Sequence, residues 1–437
     1  MIMTKKQSIF QQPTSRWRSG LSAIAVSIIA FAMSSCSPSG IEYEVEFPTH
    51  NNGKILTPYL EDNMDVDNVN LLEDWNQSDL ELSGPHKATS VPLTVMFLRL
   101  FESAIYRGIH QVSGTYESID LKGNPIVVSG KLMYPKDGKI KNLIIVSHYS
   151  IGADFEAPSE SSYPEGLFAT MGYAVAIADY IGFGVTSDSI HPYLQAYTTA
   201  QNVIDMGLAS RALLHERGLK CESDSVILCG YSQGGATTMY VQYLLENDYP
   251  DLFKIKKNYS GSGIYDIART YDCLVEQDIT GIPTAIPMII QGMSIGMDEP
   301  LDMSYFFKDK LLNNYEEWIN SKKYTIKQIN TLIGTNSLRQ LVKPEAIDKT
   351  KPETMRFYKE LQENSLPSHF VPKAPVYLFH SVNDDTVPFV NSQILQQRII
   401  TALAAGRDVK AEFDFGHYGP HTKGAIKFIF KVAKQLD

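Results

Sequence analysis

The stretch VILCGYSQGGATTMYV, residues 226–241, decides how the rest of the chain is read. Four apolar residues run into Gly230-Tyr231-Ser232-Gln233-Gly234, and past Gly235 the pattern turns helical. A short apolar run without alternation marks a strand buried on both faces. A serine at the point where such a strand becomes a helix fits G-x-S-x-G. The turn is sharp and strained, and side chains two residues to either side of the serine would collide with the neighbouring strand and helix. Its hydroxyl is then held at the carboxyl end of a sheet. The backbone N–H of Gln233 is expected to face a developing oxyanion, with the helix N-terminus adding partial positive charge. Glycine-rich turns also bind phosphate. Here the buried strand before and the helix after favour Ser232 as a nucleophile.

A serine needs a base, and the base needs an acid to orient it. With the serine on such a turn, the acid follows in the chain and the histidine comes last. The acid is expected in FHSVNDDTVPFVNS (379–392), after the apolar run APVYLF. Asp384 opens its Asp-x-x-Val-Pro pattern, and Asp385 is read as a cap for the next helix or as solvent-facing. Of ten histidines, only His417 and His421 follow Asp384, both in DFGHYGPHTKGA (414–425). His421, just before a closing helical stretch, is preferred as the base, with His417 as the alternative. A second oxyanion donor is expected from HYSIGAD (148–154), at the backbone of Tyr149 or Ser150 or nearer Asp154. His148 reads equally well as a structural histidine.

Outward from this turn the pattern repeats. HQVSGTYESIDL and PIVVSGKLMYP flank a Lys-Gly-Asn turn and read as an antiparallel hairpin. NLIIVS, YAVAIADY, SVILCG, the weaker IKKNYSGS, APVYLFHS and VKAEFDF read as strands, with helical stretches between several of them. That alternation predicts an α/β fold with a mostly parallel sheet flanked by helices. Between Ser262 and Pro372 no clear strand is visible, so a helical insertion is expected over 262–372. Residues 91–109 have helical spacing, and 37–90 read as a tether and an irregular extension.

The chain has 437 residues, 43% hydrophobic and 20% charged, an ordinary globular composition. A net charge of −10 without a basic block argues against a nucleic-acid partner. No Cys/His cluster has zinc spacing, and neither metal nor cofactor is implied. Cys229, inside an apolar run, reads as a small buried hydrophobe. Lys5, Lys6, Arg16 and Arg18 precede the apolar run Leu21–Met33, as in a secretory signal. MSSC then resembles a bacterial lipobox. It implies a lipidated Cys36 that anchors an otherwise soluble body to the cell envelope.

SHYSIGADFEAPSE, GYAVAIADYIGFGVTSDSIHPYL, GYSQGGA and NDDTVP, with the terminal histidine loop, resemble the secretory lipases of the α/β-hydrolase superfamily over roughly residues 110–437. The resemblance implies an α/β-hydrolase core over 91–261 and 373–437, with 262–372 as a helical lid or cap. It also implies cleavage of a small-molecule, lipid or glycan ester. Met-, Ile- and Phe-rich patches in 262–372 suit an acyl-binding surface or simply the insertion's own core. A serine peptidase of the same fold and a binding lipoprotein with a decayed site are the competing readings.

Overall fold

The computed structural model describes residues 108–161 and 163–436, together with three short strands nearer the N-terminus. Those are β1 (Glu44–Pro48), β2 (Ile55–Leu60) and β3 (Asp65–Val66), in a stretch expected to be irregular. The signal segment, Cys36 and the helix expected over 91–109, up to residue 107, lie outside the described residues.

The hairpin is β4 (Ile109–Ile119) and β5 (Pro125–Pro135). Asp120 closes its turn, one carboxylate oxygen accepting the N–H groups of Lys122 and Asn124 at 2.8 Å each. Then come β6 (Leu143–Ser147), β7 (Ala174–Ala178), β8 (Ser225–Tyr231), β9 (Lys254–Gly261), β10 (Val376–Ser381) and β11 (Ala411–Gly416). With β3 they form one sheet in the order β11-β10-β9-β8-β6-β7-β5-β4-β3. The hairpin end is antiparallel; β7, β6, β8, β9, β10 and β11 run parallel. The order reverses around β6, and the chain leaves β8 beside that switch, where open parallel sheets place their sites.

Helices cover both faces. α1 (Gly166–Thr170), α2 (Ala196–Glu216) and α3 (Gln233–Asn247) lie between β6 and β9 in the chain. Val226 and Leu228 of β8 join the core built with α2 and α3. Ile227, Cys229 and Tyr231 join the core on the other face, with Phe428 and Val432 of the last helix. This period of two explains why VILCG is apolar throughout. Cys229 is a buried free thiol, packed as filler.

Between β9 and β10 the chain is helical. Its main helices are α4 (Ile267–Gln277) and α5 (Ala285–Gly296). Short α6 (Met303–Phe306) and α7 (Asp309–Leu312) follow, then α8 (Ile326–Ile333), α9 (Leu338–Leu341) and α10 (Pro352–Glu363). Ile286, Ile290, Met293, Phe306, Phe307 and Phe357 are buried in a core built mostly from this segment, joined by Tyr193, Leu194 and Val387. The Met-, Ile- and Phe-rich patches thus pack mainly inward. α11 (Val390–Ala404) and α12 (His421–Leu436) complete the chain.

Candidate active site

β8 ends at Tyr231 and α3 begins at Gln233, so Ser232 makes the turn alone. Its φ of 61° and ψ of −122° are outside the regions a non-glycine residue normally occupies. Two backbone bonds hold it there. The Ser232 N–H donates to the Gly261 carbonyl at 2.9 Å, and the Ala236 N–H donates to the Ser232 carbonyl at 3.1 Å. A methyl group at Gly234 would sit 2.0 Å from the Ser147 carbonyl oxygen of β6, so α3 reaches the sheet only because that methyl is missing.

β10 delivers the acid. The Asp384 side chain is fully buried, and Oδ1 accepts the N–H groups of Thr386 at 3.0 Å and Val387 at 2.9 Å. Oδ2 lies 2.8 Å from His421 Nδ1 and 3.6 Å from His380 Nε2. Burial works to raise this carboxyl, but the two imidazoles and the hydrogen bonds hold it below the usual aspartate value. His380 is fully buried, its Nε2 donating to the Val387 carbonyl at 3.0 Å. Burial pushes its ring down to about 4 and keeps it neutral.

The histidine loop is fixed from β10. Ser381 Oγ donates to the Gly419 carbonyl at 2.6 Å and accepts the Tyr418 N–H at 3.1 Å. His421 then opens α12, buried, with Nε2 2.7 Å from Ser232 Oγ. An ionised carboxylate can only accept, so Nδ1 carries the ring proton and Nε2 is free to accept from the serine hydroxyl. The structure therefore brings Ser232, His421 and Asp384 into one hydrogen-bonded line. His417, four residues earlier, is exposed.

Asp385 is exposed, the second of its two expected placements. Its Oδ1 accepts the His421 N–H at 3.0 Å, so it serves the start of α12 rather than that of α11. On the other side of the ring, Tyr231 OH donates to the His421 carbonyl at 2.8 Å. Both contacts link residues adjacent to the acid and the serine with the base.

Gln233 is buried at the first position of α3, where an N–H has no acceptor within the helix. Its side-chain amide donates to His191 Nε2 at 3.1 Å, and His191 Nδ1 donates to the Ile181 carbonyl at 2.7 Å. Burial pushes the His191 ring down to about 3, leaving it neutral and able to accept. His191 was not singled out in the sequence, although it lies in the resembling segment GYAVAIADYIGFGVTSDSIHPYL.

The loop after β6 stands opposite. Tyr149 stacks on Tyr163 at 5.7 Å, and Ser150 Oγ lies 2.8 Å from Tyr193 OH. His148 is buried with its ring nitrogens 2.6 Å from the Tyr149 carbonyl and 3.1 Å from the Asp179 carbonyl, a loop-holding role. Burial drives its ring down to about 4, so one nitrogen donates and the other does not. Helical-segment residues cover this loop. Lys322 accepts the Asp154 N–H at 2.8 Å, and a methyl at Gly152 would lie 2.6 Å from the Tyr324 carbonyl oxygen. Lys322 Nζ donates to the carbonyls of Ser187 (2.5 Å) and Ser189. A small crevice, partly open to solvent, lies here between Ile151, Phe183, His191 and Met288. Among the described residues no cluster suits a metal ion.

A family model described as secretory lipase matches residues 167–429, more than half of the 437. The chain belongs to the secretory lipase family. As a secretory lipase it is a carboxylic ester hydrolase of α/β-hydrolase fold, and the family is one of exported enzymes. The family match includes Ser232, Asp384 and His421. Solved structures give the same fold. The rice cell wall degrading esterase LipA from Xanthomonas oryzae is 23% identical with a TM-score of 0.64, over 75% of this chain and 89% of that one. Candida antarctica lipase A in its closed state is 15% identical with a TM-score of 0.56, over 75% and 78%. No curated protein matches the sequence.

Proposed function

We propose that this secretory lipase cleaves carboxylic esters through Ser232, His421 and Asp384 and an acyl-enzyme on Ser232. The observation that carries the reading is the unbroken line from Ser232 Oγ through His421 to Asp384, with bonds of 2.7 and 2.8 Å. His421 Nε2 takes the serine proton as Oγ attacks the ester carbonyl. Asp384 stabilises the imidazolium that forms. The Gln233 N–H, with a backbone N–H of Tyr149 or Ser150, receives the oxyanion. The imidazolium then protonates the leaving alcohol. Water, deprotonated by the same ring, releases the acid.

The helical segment 262–372 is proposed as a lid, supported by Lys322 and Tyr324 lying on the loop after β6. Plant cell-wall esters and lipid esters are the two substrate classes that the structural neighbours, a rice cell wall degrading esterase and a lipase, suggest. Ser232→Ala tested on p-nitrophenyl esters of rising acyl length, with a peptide control, examines the whole reading. Loss of all ester turnover is expected; wild-type turnover in the variant would sink the mechanism, and peptide cleavage would overturn the substrate class. Lipidation of Cys36 is proposed as the anchor, and mass spectrometry of the mature N-terminus is expected to find a diacylglycerol-modified cysteine there.

A further inference from the structure

We infer that Asp385 is a positioning residue for His421, acting through the first turn of α12 with its negative charge. This inference rests on the triad reading. His421 is the first residue of a 16-residue helix. That end of a helix carries partial positive charge, which disfavours the imidazolium that His421 must form during turnover. Asp384 offsets this at the ring. Asp385 offsets it at the backbone, Oδ1 accepting the His421 N–H at 3.0 Å. A carboxylate on a helix-terminal N–H forms a charge-assisted bond, stronger than a neutral cap.

Asp385 is itself held. Its carbonyl accepts the Gly281 N–H at 2.7 Å, and Thr386 Oγ1 donates to its carboxylate at 3.3 Å. A methyl at Gly281 would lie 2.8 Å from Asp385 Cγ, so the foot of the helical segment packs directly on this side chain. The groups facing His421 are Asp384, Asp385 and His380 from the acid side and Tyr231 from β8, with Lys423 and Lys427 further along its own helix. Among these, Asp384 and Asp385 are the acidic ones, so neutralising Asp385 leaves one carboxylate against the helix end.

The test is the pH dependence of kcat/KM on p-nitrophenyl butyrate for wild type, Asp385→Asn, Asp385→Ser and Asp385→Glu. Both neutral variants should move the acid limb down by about half a pH unit, the size expected for one exposed charge at a helix end. They should also lower kcat about 3- to 10-fold while KM changes less than twofold. Asp385→Glu keeps the charge and should keep the wild-type limb. Asn and Ser both retain a neutral acceptor, so either one that folds gives the reading. An unmoved limb in the neutral variants, or an equal shift in Asp385→Glu, overturns the inference. Stoichiometric labelling of Ser232 by a fluorophosphonate in every variant separates this result from a failure of the triad, which would show as unlabelled Ser232 throughout.

Discussion

Two loops flank Ser232, and they owe their shapes to different partners. In the turn from β8 to α3, the crowding is between the start of α3 and the adjacent strand β6: Gly234 against the Ser147 carbonyl. In the loop after β6, it comes from far along the chain: Gly152 against the Tyr324 carbonyl, and Asp154 on Lys322. The first shape is a property of the parallel sheet. The second also takes contacts from the helical segment packed on it. A secretory lipase built this way fixes its nucleophile from within the sheet and packs the opposite wall of the site against the helical segment.

The largest test of that contrast is chemical. Ser232→Ala should lower kcat/KM on aryl esters by roughly 10⁴-fold or more, and Asp384→Asn should lower kcat by about 10³- to 10⁴-fold, because each removes part of one unit. His421→Ala should match Ser232→Ala, while His417→Ala should stay within about twofold of wild type. Steady-state rates on p-nitrophenyl butyrate decide all four, and a dead His417→Ala would reassign the base.

A smaller effect separates the two glycines. Gly234→Ala forces a methyl of α3 against the backbone of β6 and should cost about 3 kcal/mol or more, seen in thermal melts. Gly152→Ala can be relieved if the helical segment shifts, so about 1–2 kcal/mol is expected, with the change falling mainly on KM. Equal losses in the two variants would break the contrast.

The last effect concerns Lys322, where the helical segment meets this loop. Burial depresses the Lys322 ammonium to about 8, below the ordinary lysine value of 10.5. The unfolded chain therefore binds more protons between those two values, and stability rises with pH across that window. Lys322→Met removes this term and leaves the Ser187 and Ser189 carbonyls unbonded, a loss of about 1–3 kcal/mol near neutrality. Denaturation midpoints from pH 7 to 10.5 should show the wild-type advantage growing with pH; a flat difference would mean the ammonium stays charged in the fold.

What could be read in advance follows the same division. The strand-and-helix order was legible because VILCG, LIIVS and AVAIA are buried on both faces and show it as continuous apolar runs. Ser232 was legible because its glycines answer to the sheet, and Asp384 because Val-Pro follows on a strand end. Between His417 and His421 the spacing decides little; Ser381 reaching to Gly419 places the loop, and that bond spans 38 residues. Asp385 at the His421 N–H and His191 behind Gln233 were illegible because both are contacts across the fold with no local pattern.

His421 opens α12 and Tyr173 OH donates to the Leu436 carbonyl at that helix's far end. In biosynthesis this has a consequence of timing. Ser232 leaves the ribosome 189 residues before its base, and the base takes its place only when the final helix docks against the finished sheet. Until α12 docks, a nascent chain carries Ser232 as an unarmed nucleophile.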